Sequence, residues 1–166
     1  MSADTIVNLG SKAWSVIDDN KASSDIATNI GTALPQVDDW ANLSAPAGTN
    51  TMSRRILYFH GEDGKEAVAV NWTLHWEYGA TYKKGGAYIP RAWITVDDLD
   101  IVWGWNVKLT MQVDPPSNAT GDPKRPVARL PLRLTKNVWS MFNITNETEP
   151  FNWTIYGDGR IETNGH

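Results

Sequence analysis

The stretch "VAVNWTLHWEYG", Val68 to Gly79, decides how the rest of the chain is read. Val68, Val70, Trp72, Leu74, Trp76 and Tyr78 fall on one side of a two-residue period. Ala69, Asn71, Thr73, His75 and Glu77 fall on the other. A period of two belongs to a β-strand with one buried and one wet face, because successive side chains of a strand point to opposite sides. The same alternation returns at Ile101–Val113, where Trp103, Trp105, Val107, Leu109, Met111 and Val113 share a face. It returns again through Ala128, Leu130, Leu132 and Leu134, and through Phe151, Trp153 and Ile155.

Shorter segments with the same character are Thr5–Leu9, Ala13–Ile17, Arg54–His60, Ala87–Val96 and Val138–Thr145. Ser24–Ala33 suits a short helix or a strand equally, and residues 35–52 are the least regular stretch. Asp63-Gly64 and Asp158-Gly159 are hairpin-turn dipeptides. "YKKGGAY" and the long proline- and glycine-rich "DPPSNATGDPKRP" read as loops. About nine short alternating strands with turns between them predict an all-β chain, an antiparallel β-sandwich, with a closed β-barrel as the alternative. The 166 residues suit one domain, 1–166.

Composition sets limits on function. No cysteine is present, so disulfides, thiolate metal sites and a cysteine nucleophile are excluded. The formal net charge of −4 argues against nucleic acid as a partner, since phosphate binding calls for a concentrated basic surface. The opening "MSADTIVNLG" lacks the basic start and apolar run of a signal peptide, and no segment is apolar enough over a long enough span for a membrane helix. The motifs of phosphate loops, nucleophile elbows and zinc proteases are missing, so the chain is not expected to be an enzyme.

Nine tryptophans in 166 residues is the compositional anomaly. Those in step with their strands (Trp72, Trp76, Trp103, Trp105 and Trp153) are assigned to the core. The aromatics out of step or in loops are the expected ligand contacts: Trp40, Tyr82, Tyr88, Trp93, Trp139 and Tyr156. Trp40 is also expected to pin its irregular segment to the body. Arg125, Arg129 and Arg133 recur every four residues, which on one strand gives a ladder able to grip an anionic partner.

No cofactor is expected. The aspartate pairs Asp18-Asp19, Asp38-Asp39 and Asp97-Asp98 leave calcium as an ion to consider. His75 with Glu77, and His60 on a neighbouring strand, is the nearest approach to a transition-metal set. Six Asn-x-Ser/Thr triplets, at Asn42, Asn71, Asn118, Asn143, Asn146 and Asn152, follow from polar strand faces built of Asn and Thr.

The expected function is a non-catalytic binding module, secreted or at a cell surface, with a glycan or another cell-surface partner as ligand. Two alternatives stand beside it. One is a membrane-active or pore-forming component, because the two longest strands have membrane-spanning length. The other is a self-assembling homo-oligomer built through strand edges.

Overall fold

The computed structural model describes residues 5–23, 25–60, 65–141 and 147–163, with the side chains of residues 59, 60, 65 and 147–149 left out of the description. The hairpin expected at Asp63-Gly64 and the triplets at Asn143 and Asn146 lie outside the described residues. In chain order the strands are β1 Ile6–Val7, β2 Ala13–Asp18, β3 Lys21–Ala22, β4 Gly31–Pro35, β5 Gly48–His60, β6 Lys65–Tyr78, β7 Ala80–Tyr82, β8 Gly85–Ile101, β9 Trp105–Val113, β10 Ser117–Asn118, β11 Ala128–Ser140, β12 Glu147–Tyr156 and β13 Ile161–Thr163. Among the described residues the sole helical element is a single 3₁₀ turn, Trp40–Asn42.

The strands form two antiparallel sheets packed face to face, an open β-sandwich rather than a closed barrel. Sheet one runs β1-β4-β8-β6-β5, with β7 beside β8; sheet two runs β13-β12-β11-β9-β2-β3, with β10 beside β11. The row Val68, Val70, Trp72, Leu74, Trp76 on β6 is fully buried. It meets the inner rows of sheet two: Leu109 and Met111 from β9, Leu130, Leu132 and Leu134 from β11, Trp153 and Ile155 from β12. Trp72 and Trp153 touch edge to face across the gap, with ring centroids 5.0 Å apart. This mutual burial is the main force holding the sheets together, since a lone strand cannot offset the entropy of its own ordering.

Several expectations from the sequence require correction. Ile101–Val113 is not one strand. β8 ends at Ile101, residues 102–104 turn, and β9 begins at Trp105 in the other sheet. Trp103 therefore stands on a turn and is 80% exposed instead of lying in the core, and Trp105 is only half-buried. The turn is closed by Trp105 N–H donating to the Val102 carbonyl at 3.1 Å, with Gly104 at φ +90°, a conformation that L side chains rarely adopt.

Conversely, the segments read as two strands, Ala128–Thr135 and the one starting at Val138, form a single strand through Ser140. The interruption in the apolar pattern is Lys136, which points inward and is only 3% exposed. Of the 35–52 stretch, residues from Gly48 onward belong to β5. Within Ser24–Ala33, a turn precedes β4, and no helix forms among the described residues.

Candidate functional site

Trp40, Tyr82, Tyr88 and Tyr156 gather toward one end of the sandwich, where β7 turns into β8 and β12 into β13. Only part of this set offers a surface. Tyr88 is 1% and Tyr156 6% exposed, so both are corrected from ligand contacts to packing residues. The face of Tyr156 is further covered by the Arg160 guanidinium, 4.4 Å from the ring centroid. Tyr82 is half-buried and its hydroxyl donates to the Asp39 carboxylate. That bond holds Asp39 below the usual carboxylate range and pushes Tyr82 up to about 12.

Trp40 is 39% exposed and does not pin its segment. Main-chain bonds do so instead: Ser44 N–H to the Thr81 carbonyl at 2.8 Å, Lys83 N–H to the Asn42 carbonyl at 3.0 Å and Ala47 N–H to the Tyr78 carbonyl at 2.8 Å. Beside them, Ala41, Asn42, Leu43, Ser44, Thr81, Lys83 and Lys84 line a shallow recess of about 310 Å³.

Trp93 and Trp139 lie on the two opposite outer faces, so the fold does not bring them together. Trp93 is stacked with His75 and has the Arg91 guanidinium 4.3 Å above its ring. These two contacts leave little of its face for a ligand. Trp139 is half-buried opposite Asn106 on β9.

The arginine ladder has two rungs, not three. Arg125 sits in the turn before β11, with its N–H on the Asp122 carbonyl at 3.2 Å, because the strand begins only at Ala128. Arg129 and Arg133 do share the outer face of β11, and Arg133 is already paired with Asp114 at 3.0 Å. β11 lies in the interior of sheet two rather than at an edge.

The opposite end of the sandwich presents the most exposed aromatic residue. Trp103 projects from the β8–β9 turn, flanked by Val102 and Met141, all three exposed. The turn is braced on both sides. Val102 N–H donates to the Ala67 carbonyl and Met141 N–H to the Gly104 carbonyl, each at 2.9 Å. A recess of about 360 Å³ opens below, lined by Asn20, Leu99, Ile101, Trp103 and Trp105 among others.

Asn20 is fully used as a strut. Its amide donates to the Trp105 carbonyl and to Asn106 Oδ1, both at 3.2 Å, and its oxygen accepts from Val107 N–H at 2.9 Å. Tyr58 packs on Trp105 with ring centroids 5.4 Å apart and so supports the floor. The exposed carboxylates at this end are Asp18, the last residue of β2 and paired with Lys108 at 4.0 Å, Asp19 on the turn that follows, and Asp98 and Asp100, near the end of β8.

The arrangement is an exposed indole on a braced turn over a recess, with aspartates nearby. It can stack on a flat apolar ligand face and accept hydrogen bonds from hydroxyls. Sequence reading missed Trp103 because it kept the two-residue beat. The signal against a continuous strand was Gly104, a residue that inside an apolar run marks a break or a bulge.

Among the described residues no group of three His, Asp or Glu side chains converges as a metal set. His75 Nε2 lies 2.9 Å from Thr95 Oγ1, and Asp97 accepts from Thr73 and Thr95, so these groups serve the sheet surface. Comparison with protein-family models, with curated proteins and with solved structures finds no match to this chain.

Proposed function

We propose that this chain is a non-catalytic binding module, exported or surface-associated, that holds a glycan at the Trp103 end of the sandwich. The observation that carries the reading is the exposure of Trp103 on a braced turn, when no other tryptophan exceeds 39%. An indole left in water forgoes roughly 3–5 kcal/mol of burial free energy, on about 25 cal/mol per Å² and a side chain of 150–250 Å². A ligand that covers the ring recovers part of this.

The surroundings favour a polyhydroxylated ligand over an anionic membrane. Asp19, Asp98 and Asp100 at the same end repel phosphate headgroups and their oxygens accept hydroxyl protons, while Asp18 is already paired with Lys108 at 4.0 Å. The C–H face of a sugar ring suits the indole.

A glycan array followed by titration of the best sugar with tryptophan fluorescence tests the reading. Binding should occur, and Trp103→Ala should weaken it at least tenfold with the fold intact. A folded protein that answers to no sugar overturns the proposal. Binding to zwitterionic vesicles that disappears in the same variant overturns it in favour of a lipid interface.

A further inference from the structure

A recess of about 360 Å³ opens between the two sheets, at the far end of β9 from Trp103. Its apolar walls are Ile6 and Val7 of β1, in sheet one, and Val113, Pro115 and Pro116 at the end of β9 and just beyond it. Ile6 and Val113 also belong to the core, at 8% and 7% exposure, so the recess reaches the core's edge. The walls hold their shape without a ligand. Two adjacent prolines fix their own φ. Val113 N–H donates to the Lys12 carbonyl at 2.8 Å and Asp114 N–H to the Pro131 carbonyl at 3.0 Å. Asn8, also in the lining, is fully engaged as a strut. Its side-chain oxygen accepts from the Gly10 and Thr32 N–H groups, each at 2.9 Å, and its amide donates to the Ser11 carbonyl at 3.2 Å.

The charges in the lining are unequal. The Asp114 carboxylate is already paired with Arg133 at 3.0 Å. The exposed Lys12 ammonium has no ion-pair or hydrogen-bond partner among the described residues. Proline has no N–H, and those of Val113 and Asp114 are used, so Lys12 is the charged lining group left to meet an acceptor. We propose that this recess binds a medium-chain monocarboxylic acid, with its apolar chain between the prolines and Ile6–Val7 and its carboxylate on the Lys12 ammonium. An apolar recess with a few placed polar groups is the usual form of a small-molecule site. Its volume holds roughly twelve groups of water size, at about 30 Å³ each, enough for an eight-carbon acid. An amine would meet Lys12 with like charge and find Asp114 already neutralised. A neutral alcohol would keep the apolar contact and leave the ammonium without a counter-charge. Val113 lies eight residues, or about 26 Å, along β9 from Trp105. The site is therefore independent of what Trp103 binds.

Titration of the full chain at neutral pH with sodium octanoate, octanol and octylamine, followed by amide-resolved NMR, tests this. Octanoate should shift the amide signals of Ile6, Val7 and Val113. It should bind about fivefold or more tighter than octanol, because a hydrogen bond to a charged group adds to the apolar contact, and octylamine should bind weakest. Lys12→Met removes the charge and keeps a long apolar side chain. It should weaken octanoate binding about fivefold or more and leave octanol binding unchanged. Its far-ultraviolet spectrum should match the wild type, since Lys12 is exposed. Lys12→Arg should retain the preference for octanoate. No shift at those three amides, shifts confined to Trp103 and its neighbours, octylamine binding as tightly as octanoate, or an unchanged octanoate affinity in Lys12→Met each overturns the proposal.

Discussion

The imidazole of His75 on β6 lies flat against the indole of Trp93 on β8, with ring centroids 5.0 Å apart and planes within 5°. The two residues face each other directly in the ladder. Around them the outer face of sheet one carries a hydrogen-bonded row in which Ser53 meets Thr73 at 2.8 Å and Thr73 meets Asp97 at 2.5 Å. Burial holds His75 below its ordinary value near 6.5, and the nearby Asp97 opposes that effect only in part.

The consequence is a pH dependence of definite sign. The unfolded chain binds the His75 proton more readily than the folded one, so this residue's contribution is complete above about 6.5. It declines as the pH falls through 6.5 toward the lower folded value. Urea midpoints measured between about pH 8 and about pH 5.5 should fall more steeply for the wild type than for His75→Gln. Parallel curves would show that His75 contributes nothing to the acid limb.

Exposure separates Trp103 from the other tryptophans in energy. Trp103→Ala should change unfolding free energy by about 0.5 kcal/mol or less, because a side chain 80% exposed buries little area on folding. Trp153→Ala, at 1% exposure, should cost about 3–5 kcal/mol through reduced burial and a cavity. Chemical denaturation of both variants checks this, and a large destabilisation at Trp103 would mean that the turn is structural.

The β7–β8 hairpin turns on Lys83 and Lys84, at φ +49° and +64°. Both are left-handed conformations, which such a turn normally fills with Asn-Gly. Replacing the pair by Asn-Gly should raise stability by roughly 1 kcal/mol, since each non-glycine residue there is strained. The substitution also removes the ion pair between Lys83 and Asp39. That pair is long, 3.8 Å, and exposed, so its removal should not cancel the gain. A thermal midpoint that rises by about 2–4 °C is the expected reading.

Three indole N–H groups, on Trp72, Trp76 and Trp153, are buried with no acceptor among the described residues. An unsatisfied buried donor costs about 1–3 kcal/mol. Trp76→Phe removes one such donor while keeping an aromatic ring, so its net cost should stay within about 1 kcal/mol. Trp76→Ala should cost about 3–5 kcal/mol. Equal destabilisation in the two variants would show that the N–H is not a liability.

Much of the sandwich was legible in the chain because strand periodicity is local. The inner row of β6, the rows of β9 and β11 and the Asp158-Gly159 turn all follow from near neighbours in sequence. Lys136 hid the continuity of β11, since an inward lysine breaks the alternation that identifies a strand. The ligand-facing aromatics were only partly legible. Tyr88 and Tyr156 read as aromatics off the apolar beat of their strands, yet Gly86 at the start of β8 lies against the Tyr88 ring and Arg160 of the β12–β13 turn covers Tyr156.

By itself the sequence determined the class of object: paired faces, apolar inside and polar outside, and no thiol chemistry. Only the tertiary structure decided where the chain crosses from one sheet to the other, and with it that Trp103 stands in water and that β5 is left at an edge. Alternation sets which side of a strand is apolar. The order of strands and the position of a crossing depend on contacts between residues far apart in the chain, which a local pattern does not encode.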